Sequence, residues 1–297
     1  MEKIVYALGF FDGVHLGHQA LLAACRSLAR ETKAKAGVLT FAGTPESLMK
    51  EGPGLITSLP ERECLFRQMG MEEVLVLPFD ENLKSMPWQA FFRLLVDAYH
   101  AGGFVCGEDF RFGAGGDGTA LRLQALCQDE NIPCKIVPAV TLDGQVVSSR
   151  QIRLLLEEGK LEKANACLGH PHLLIGAVVP GKQLGRTIGV PTANLSYSPE
   201  RVKLPYGVYA CRVKLAGKYY AAVTNIGIRP TVEGENVTVE PWILGFEGDL
   251  YGKELMLEVL SFLRPEQKFA DLDDLKAQIQ KDALRAREIF EKAGVNP

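Results

Sequence analysis

Two stretches of this chain gather glycines, hydrogen-bond donors and hard oxygen ligands at spacings suited to handling phosphate. The first is Gly9-Phe10-Phe11-Asp12-Gly13-Val14-His15-Leu16-Gly17-His18. It falls where a strand-like run ends and a helical pattern begins, so backbone N–H groups and the positive end of a helix face one spot. Gly9, Gly13 and Gly17 let the backbone approach an anion closely. His15 and His18 sit on one turn, with Phe11 and Asp12 beside them, and can donate to phosphoryl oxygens as charge builds between attacking and leaving groups. Such a site needs no nucleophile of its own. The second stretch runs from Gly181 through Gly185 to Pro191-Thr192-Ala193-Asn194. The Thr192 hydroxyl and the Asn194 side-chain oxygen are hard ligands of the kind Mg²⁺ takes alongside water and phosphate. The glycine-rich turn at Gly181 and Gly185 can wrap a polyphosphate. Taken alone, the first stretch also fits a capped helix start and the second a surface β-turn.

The elements needed to position these residues are visible in the periodicity. Residues 3–10 are strand-like, 18–32 helical through Leu21, Leu22, Cys25 and Leu28, and 36–41 strand-like again, a βαβ beginning that implies a parallel sheet. The alternation continues with a helix at 60–69, a strand at 73–78, a helix at 87–100, a strand at 103–107, a helix at 119–131 and a strand at 134–139. Ligands of doubly wound sheets bind beyond the carboxyl ends of the strands, so functional residues belong in the loops after them. Residues 148–168 read as two helical patterns forming a connector. Beyond Pro171 the texture changes to short strands at 206–215, 219–224, 238–246 and 254–263, with a turn at Ala216-Gly217-Lys218. That pattern predicts an antiparallel barrel or sandwich. A closing helix at 272–292 carries an apolar stripe of Leu272, Leu275, Ile279, Ala286 and Ile289, with Asp282 and Arg285 on its flank.

Bulk composition narrows the classes. A chain of 297 residues exceeds the usual size of one core, so two domains are expected. A formal net charge of -3 argues against a dedicated nucleic-acid binder, while leaving small anionic ligands open. Seven scattered cysteines without a Cys-x-x-Cys pair predict reduced, mostly buried thiols. No secretory signal is read after Met1 and no apolar run reaches bilayer length, so a cytoplasmic enzyme without membrane or nucleic-acid partners is the expectation. Cys167, His170 and His172 are too few and too close in sequence for a convincing metal site. Asn236-Val237-Thr238 is a glycosylation sequon by pattern only.

The segment from Gly9 to Gln19 resembles the nucleotidyltransferase signature of the FAD synthetase half of bifunctional bacterial riboflavin kinase/FAD synthetases. Val105 to Gly113, containing Asp109, is similar to that family's second nucleotide-site segment. Val147-Ser148-Ser149-Arg150-Gln151-Ile152-Arg153 is similar to its Ser-Ser-x-x-Ile-Arg segment. There Ser148 and Ser149 offer hydroxyls at a helix start, and Arg153 a planar cation for a polyphosphate. Gly181 to Asn194 resembles the riboflavin kinase signature, and Gly207-Val208-Tyr209-Ala210, Asn225 to Thr231, Asp249 to Gly252 and Phe262 to Phe269 follow in the family's order. The resemblance implies that Glu240 is the catalytic base that accepts the proton of the riboflavin 5′-hydroxyl. It makes Arg264, Asp282 and Arg285 candidates for lining the flavin site.

The resemblance therefore implies an α/β nucleotidyltransferase-type Rossmann-like domain with a parallel sheet over residues 1–170, followed by an antiparallel β-barrel riboflavin kinase domain with a C-terminal helix over 171–297. ATP is the co-substrate of both, Mg²⁺ the cofactor, and riboflavin, FMN and FAD the flavin ligands. In the adenylyltransferase half His15, His18 and Arg153 work on the phosphates. Three departures stand out: Thr44 takes the place of a histidine common after the second strand, Trp242 that of another near Glu240, and Gly245 that of an acidic residue. Thr44 keeps open an alternative in which the kinase alone works and the amino-terminal domain is a degenerate or regulatory nucleotide binder. Gly113-Ala114-Gly115-Gly116-Asp117-Gly118 also fits the Gly-x-Gly-x-x-Gly of a dinucleotide oxidoreductase. Asp109 to Phe112 intervenes between strand and glycines, however, and the next strand lacks a terminal acid for a ribose.

Overall fold

The computed structural model describes residues 2–42, 54–180, 189–231 and 234–293, so Thr44, Gly181 and Gly185 lie outside the described residues. The chain forms two compact units: residues 1–53 with 58–149, and residues 54–57 with 150–297.

The first unit is built on five parallel strands: β1 (Ile4–Leu8), β2 (Lys35–Ala42), β3 (Glu73–Pro78), β4 (Ala101–Gly107) and β7 (Cys134–Val137). Their order is β3-β2-β1-β4-β7. The helices are α1 (Leu16–Thr32), α2 (Leu59–Gln68), a short α3 (Glu81–Ser85), α4 (Trp88–Asp97) and α5 (Ala120–Asp129). Tyr6, Leu8, Leu39, Phe92, Phe104 and Cys106 form the core between sheet and helices. The strand order reverses between β1 and β4, and that is where a doubly wound sheet opens a crevice at its carboxyl edge.

Local strain is concentrated at the end of β1. Phe11 (φ 60) and Val14 (φ 41) both adopt left-handed backbone without being glycine. A β-branched residue there is an outlier that only a strongly determined surrounding sustains. Phe11 is 1% exposed and packs edge-on against Phe66 of α2 and His18 of α1. The contorted turn is thus pinned from below. Two small hairpins flank the cleft: β5 (Arg111–Phe112) with β6 (Gly118–Thr119), and β8 (Thr141–Leu142) with β9 (Gln145–Val146). The glycine run 113–118 bridges β5 and β6. It does not connect a strand of the parallel sheet to a helix, as a dinucleotide fold would require.

The second unit opens with α6 (Ser149–Glu157) and α7 (Leu161–Leu168), then closes an antiparallel barrel in the order β10-β11-β14-β13-β12-β15. The strands are β10 (His172–Val179), β11 (Asn194–Leu195), β12 (Gly207–Leu215), β13 (Lys218–Thr231), β14 (Gly234–Ile243) and β15 (Glu254–Pro265). Of the two predicted architectures, barrel or sandwich, the closure by β10 against β15 selects the barrel. The β12–β13 hairpin turns at Ala216 (φ 48) and Gly217 (φ 84), the paired left-handed conformation of a two-residue hairpin.

The closing helix, α8 (Leu272–Lys292), starts from Asp271, whose carboxylate accepts from the N–H of Asp273 and Asp274. It covers the barrel with Ala283, Ala286 and Phe290, packed against Val208, Ala210, Val223 and Leu244. The apolar stripe is therefore shifted toward the carboxyl half: Leu272 is 60% exposed, and the cap holds the first turn in place of packing. Trp242 packs against this same cluster. Gly245 has φ 74, a conformation that an acidic side chain would adopt only with strain.

Candidate active site

In the first unit a cleft of about 940 Å³ lies along the carboxyl ends of the parallel strands, with Leu8, Phe41, Phe79, Gly107 and Val137 at its floor and rim. Gly9, His15, Gly17, His18, Asp109, Ser148 and Ser149 line it. Phe11, Asp12 and Gly13 do not; Phe11 and Asp12 are buried beneath the turn as its support. Lys84 and Arg111 also line the cleft and are exposed, so cations are available beside the imidazoles.

His15 caps α1: its Nδ1 accepts from the backbone N–H of His18 at 3.4 Å. An accepting Nδ1 carries no proton in the neutral ring, which leaves Nε2 as the donor. The two imidazoles stack at 3.6 Å between centroids, 18° apart in plane. A Cβ on Gly17 would stand 3.1 Å from Cε1 of His15, so glycine there leaves room for the ring. Burial pushes the pKa of His18 well below its usual value, and His15 and Arg62 push the same way. His18 is therefore a neutral donor near pH 7.

Ser149, the last residue of the first unit, donates through Oγ to the carbonyl of Asp12 in the β1 turn at 2.8 Å. Asp109 folds back over the end of β4, where a Cβ on Gly107 would meet its Oδ1 at 2.9 Å. Arg153 groups with the second unit, where its Nε donates to the carbonyl of Gly54 at 3.0 Å. It is not among the cleft residues.

In the barrel, strand register builds a row of polar groups. Asn225 on β13 pairs directly with Glu240 on β14. Leu195 pairs with Val239, and the N–H of Ala193 donates to the carbonyl of Pro241 at 2.9 Å, so Asn194 on β11 stands opposite Glu240 from the other side. Directly opposed residues of antiparallel strands share a face. On that face Val208 of β12, an apolar residue, pairs with both Asn225 and Arg264, which puts Arg264 of β15 on the same face. Asn194, Glu240 and Thr192 are half-buried. Glu266 reaches over β13: its Oε1 accepts from Asn225 Nδ2 at 3.2 Å and would clash with a Cβ on Gly227 at 2.3 Å.

Arg264 is held by Asp282 of α8 through Nε (3.0 and 3.2 Å to the two carboxylate oxygens) and Nη2 (2.8 Å), with Gln278 donating to the same carboxylate at 2.9 Å. The pair fastens the helix to the barrel, and Arg285 is exposed. Cys167, His170 and His172 form no metal-binding group, and none of three or more His, Cys, Asp or Glu exists among the described residues. The hydroxyl of Thr192, the amide oxygen of Asn194 and the carboxylate of Glu240 are all hard donors without sulfur or imidazole, a set that fits a hard divalent cation completing its shell with phosphate and water.

Arg62 escapes motif reading: its hydrogen-bond partners Phe10, Thr40 and Phe41 are distant in sequence, and only the fold brings them together.

An α/β unit with its cleft at the strand-order reversal, joined to an antiparallel barrel carrying a row of oxygen donors, defines a two-unit protein built to handle nucleotides. Residues 1–151 match the FAD synthetase family model and residues 168–290 the riboflavin kinase model. The chain is 38% identical over 293 residues to the bifunctional riboflavin kinase/FMN adenylyltransferase of Escherichia coli (strain K12), covering 97% of this chain and 93% of that protein. It is 34% identical over 294 residues to the protein so described in Bacillus subtilis (strain 168), with the same coverage. A solved structure from Streptococcus pneumoniae described as a macrolide-efflux protein superposes with a TM-score of 0.84 at 32% identity, over 96% of this chain and 94% of that one. This chain belongs to the family of bifunctional riboflavin kinase/FMN adenylyltransferases.

Proposed function

We propose that the two reactions of the family run on the two cradles described above, adenylylation in residues 1–170 and phosphorylation in residues 171–297. The chain phosphorylates riboflavin to FMN and adenylylates FMN to FAD with release of pyrophosphate, taking ATP for both. The observation that carries the assignment is the separation of the cradles: imidazoles at a strained strand-to-helix turn in one unit, a carboxylate between two carboxamides in the other. Family matches over both halves, and relatives that carry both names, favour two activities over a kinase with a degenerate amino-terminal domain.

In the kinase, Glu240 takes the proton of the riboflavin 5′-hydroxyl as that oxygen attacks the γ-phosphorus of ATP. Asn225 and Asn194 stand at the strand positions opposed to Glu240, and Thr192 and Asn194 would hold the metal and phosphates. Arg264, Asp282 and Arg285 border the flavin. Mg²⁺ supplies charge neutralisation at the transferring phosphates when bound. In the adenylyltransferase, a phosphate oxygen of FMN attacks the α-phosphorus of ATP. His15 and His18 donate to the phosphoryl oxygens, while Gly9, Gly17, Ser148 and Ser149 let backbone and hydroxyl groups approach them. Asp109 completes the nucleotide contacts.

No helix among the described residues is long and apolar enough to cross a membrane; a cytoplasmic setting, where ATP and riboflavin meet, fits the reading. Incubation with FMN, ATP and Mg²⁺ followed by chromatography tests the amino-terminal assignment. FAD and pyrophosphate are expected in equal amounts, and no FAD under any metal or redox condition would leave the kinase alone.

A further inference from the structure

Arg62 is 1% exposed, on α2 beneath the β1 turn. Its Nη1 donates to the carbonyl of Phe10 at 2.7 Å and to Thr40 Oγ1 at 3.0 Å, and its Nη2 to the carbonyl of Phe41 at 3.2 Å. The guanidinium also stands 4.3 Å from the centre of the Phe10 ring. Thr40 Oγ1 adds its own hydrogen bond to the Phe10 carbonyl at 2.8 Å.

The acceptors are not arbitrary. Phe10 lies two residues past the end of β1, and the β1–β2 ladder ends at Leu8 paired with Leu39. The Phe10 carbonyl therefore lies past the ladder where the sheet's own donors stop, and Phe41 is near the end of β2. Both residues line the cleft. One planar fork thus joins the two strand ends from which the phosphate turn departs.

A buried guanidinium is expensive, and an apolar side chain of similar volume would pack at lower cost if stability were all that was required. Burial holds the Arg62 pKa below its usual value even with Asp12, Glu63 and Glu61 near enough to favour the charge. Its helix is anchored at its start, where Glu61 accepts from the N–H of Ser58 at 2.7 Å.

We propose that Arg62 is a positioning residue for adenylyl transfer, fixing the turn from Gly9 to His15 and setting a buried positive charge behind the place where ATP phosphates lie. The proposal rests on the first unit being the adenylyltransferase. Arg62 touches no substrate; it acts through Phe10, Phe41 and the turn they carry. Lysine keeps the charge but lacks the planar fork, glutamine keeps polar contacts without the charge, and methionine keeps neither.

The test is steady-state FMN adenylylation by the full chain with Arg62→Lys, Arg62→Gln and Arg62→Met, each checked by circular dichroism, urea midpoint and riboflavin phosphorylation in the same preparation. Sub-ångström misplacement of reacting groups is costly, so kcat/KM for ATP is expected to fall about 100-fold in Arg62→Met and about tenfold in Arg62→Gln. Arg62→Lys recovers part of the loss, the KM for FMN stays unchanged, and kinase turnover stays near wild type. Should the methionine variant fail to fold, the glutamine variant decides. Folded Gln or Met variants with near-normal adenylylation overturn the proposal, as does a loss that tracks the unfolded fraction and disappears on cooling. A wild-type chain that makes no FAD would instead sink the underlying assignment.

Discussion

Asn225 of β13 faces Glu240 of β14 in direct register, and Asn194 of β11 faces it from the other side, so the carboxylate is flanked by two carboxamides on one face of the barrel. This fixes where a base can work: Glu240 is carried on a strand paired along its length with β13, with polar residues at the positions opposed to it. Replacing Glu240 by Gln preserves that packing and removes the proton acceptor. Riboflavin phosphorylation is expected to fall about a hundredfold or more, with riboflavin binding retained and FMN adenylylation unchanged. Near-normal turnover would remove Glu240 from the role.

Asn225→Ala should cost less, because it removes the residue opposed to the base, and its hydrogen bond to Glu266, without deleting the base itself. A fall of about tenfold in kinase kcat is expected, the scale of one hydrogen bond near a charged group. Separate assays of FMN and FAD formation check it, since the second activity should not respond.

The imidazole pair predicts the opposite pattern. His15→Ala and His18→Ala each lower FAD formation by about two to three decades and leave phosphorylation intact, if both rings donate to developing charge. His15→Ala also deletes the α1 cap, at a cost of about 1 kcal/mol in the first unit's stability, which His18→Ala does not share. Urea melts of the two variants separate the effects.

Arg264 and Asp282 are mostly buried and bonded bidentately between β15 and α8. Removing one partner leaves an uncompensated charge, so Asp282→Ala should cost the barrel unit about 3 to 5 kcal/mol. The paired replacement Arg264→Met with Asp282→Leu should cost less than the single change. A single variant as stable as wild type would show the pair to be idle.

His172 is 1% exposed with no hydrogen-bond partner on either ring nitrogen, and burial, then Arg201 and His170, push its pKa well below 6.5. The unfolded chain therefore binds a proton on lowering pH through about 6.5 while the native chain does not. Stability is full above that pH and falls below it, by up to about 1.4 kcal/mol per pH unit from this group. His172→Gln should flatten the loss between about pH 6.5 and the native pKa in barrel-unit urea midpoints; an unchanged slope would contradict the sign.

Motif reading reaches the amino-terminal turn because Gly9, His15, Gly17 and His18 are contiguous, and one strand-to-helix corner places them together. It fails for Arg62, which lies 52 positions along the chain from Phe10 and meets it only in the folded unit. Glu240 was reachable only through family resemblance, since an isolated glutamate in a strand carries no chemical signature. Barrel and sandwich share the same alternation, and what separates them is the pairing of β10 with β15, a long-range fact that local pattern does not encode. The stripe on α8 holds at Ala286 and Ile289 and fails at Leu272, because periodicity reports a face without saying which end of it meets the barrel.

The most direct test of two separate cradles is a chromatographic time course from riboflavin and ATP with Mg²⁺, run on the wild-type chain, Glu240→Gln and His15→Ala. The account predicts FMN followed by FAD from the wild type. It predicts FMN accumulating without FAD in His15→Ala, and no flavin nucleotide in Glu240→Gln until added FMN restores FAD. Loss of FMN in folded His15→Ala, or failure of added FMN to restore FAD in folded Glu240→Gln, would contradict it.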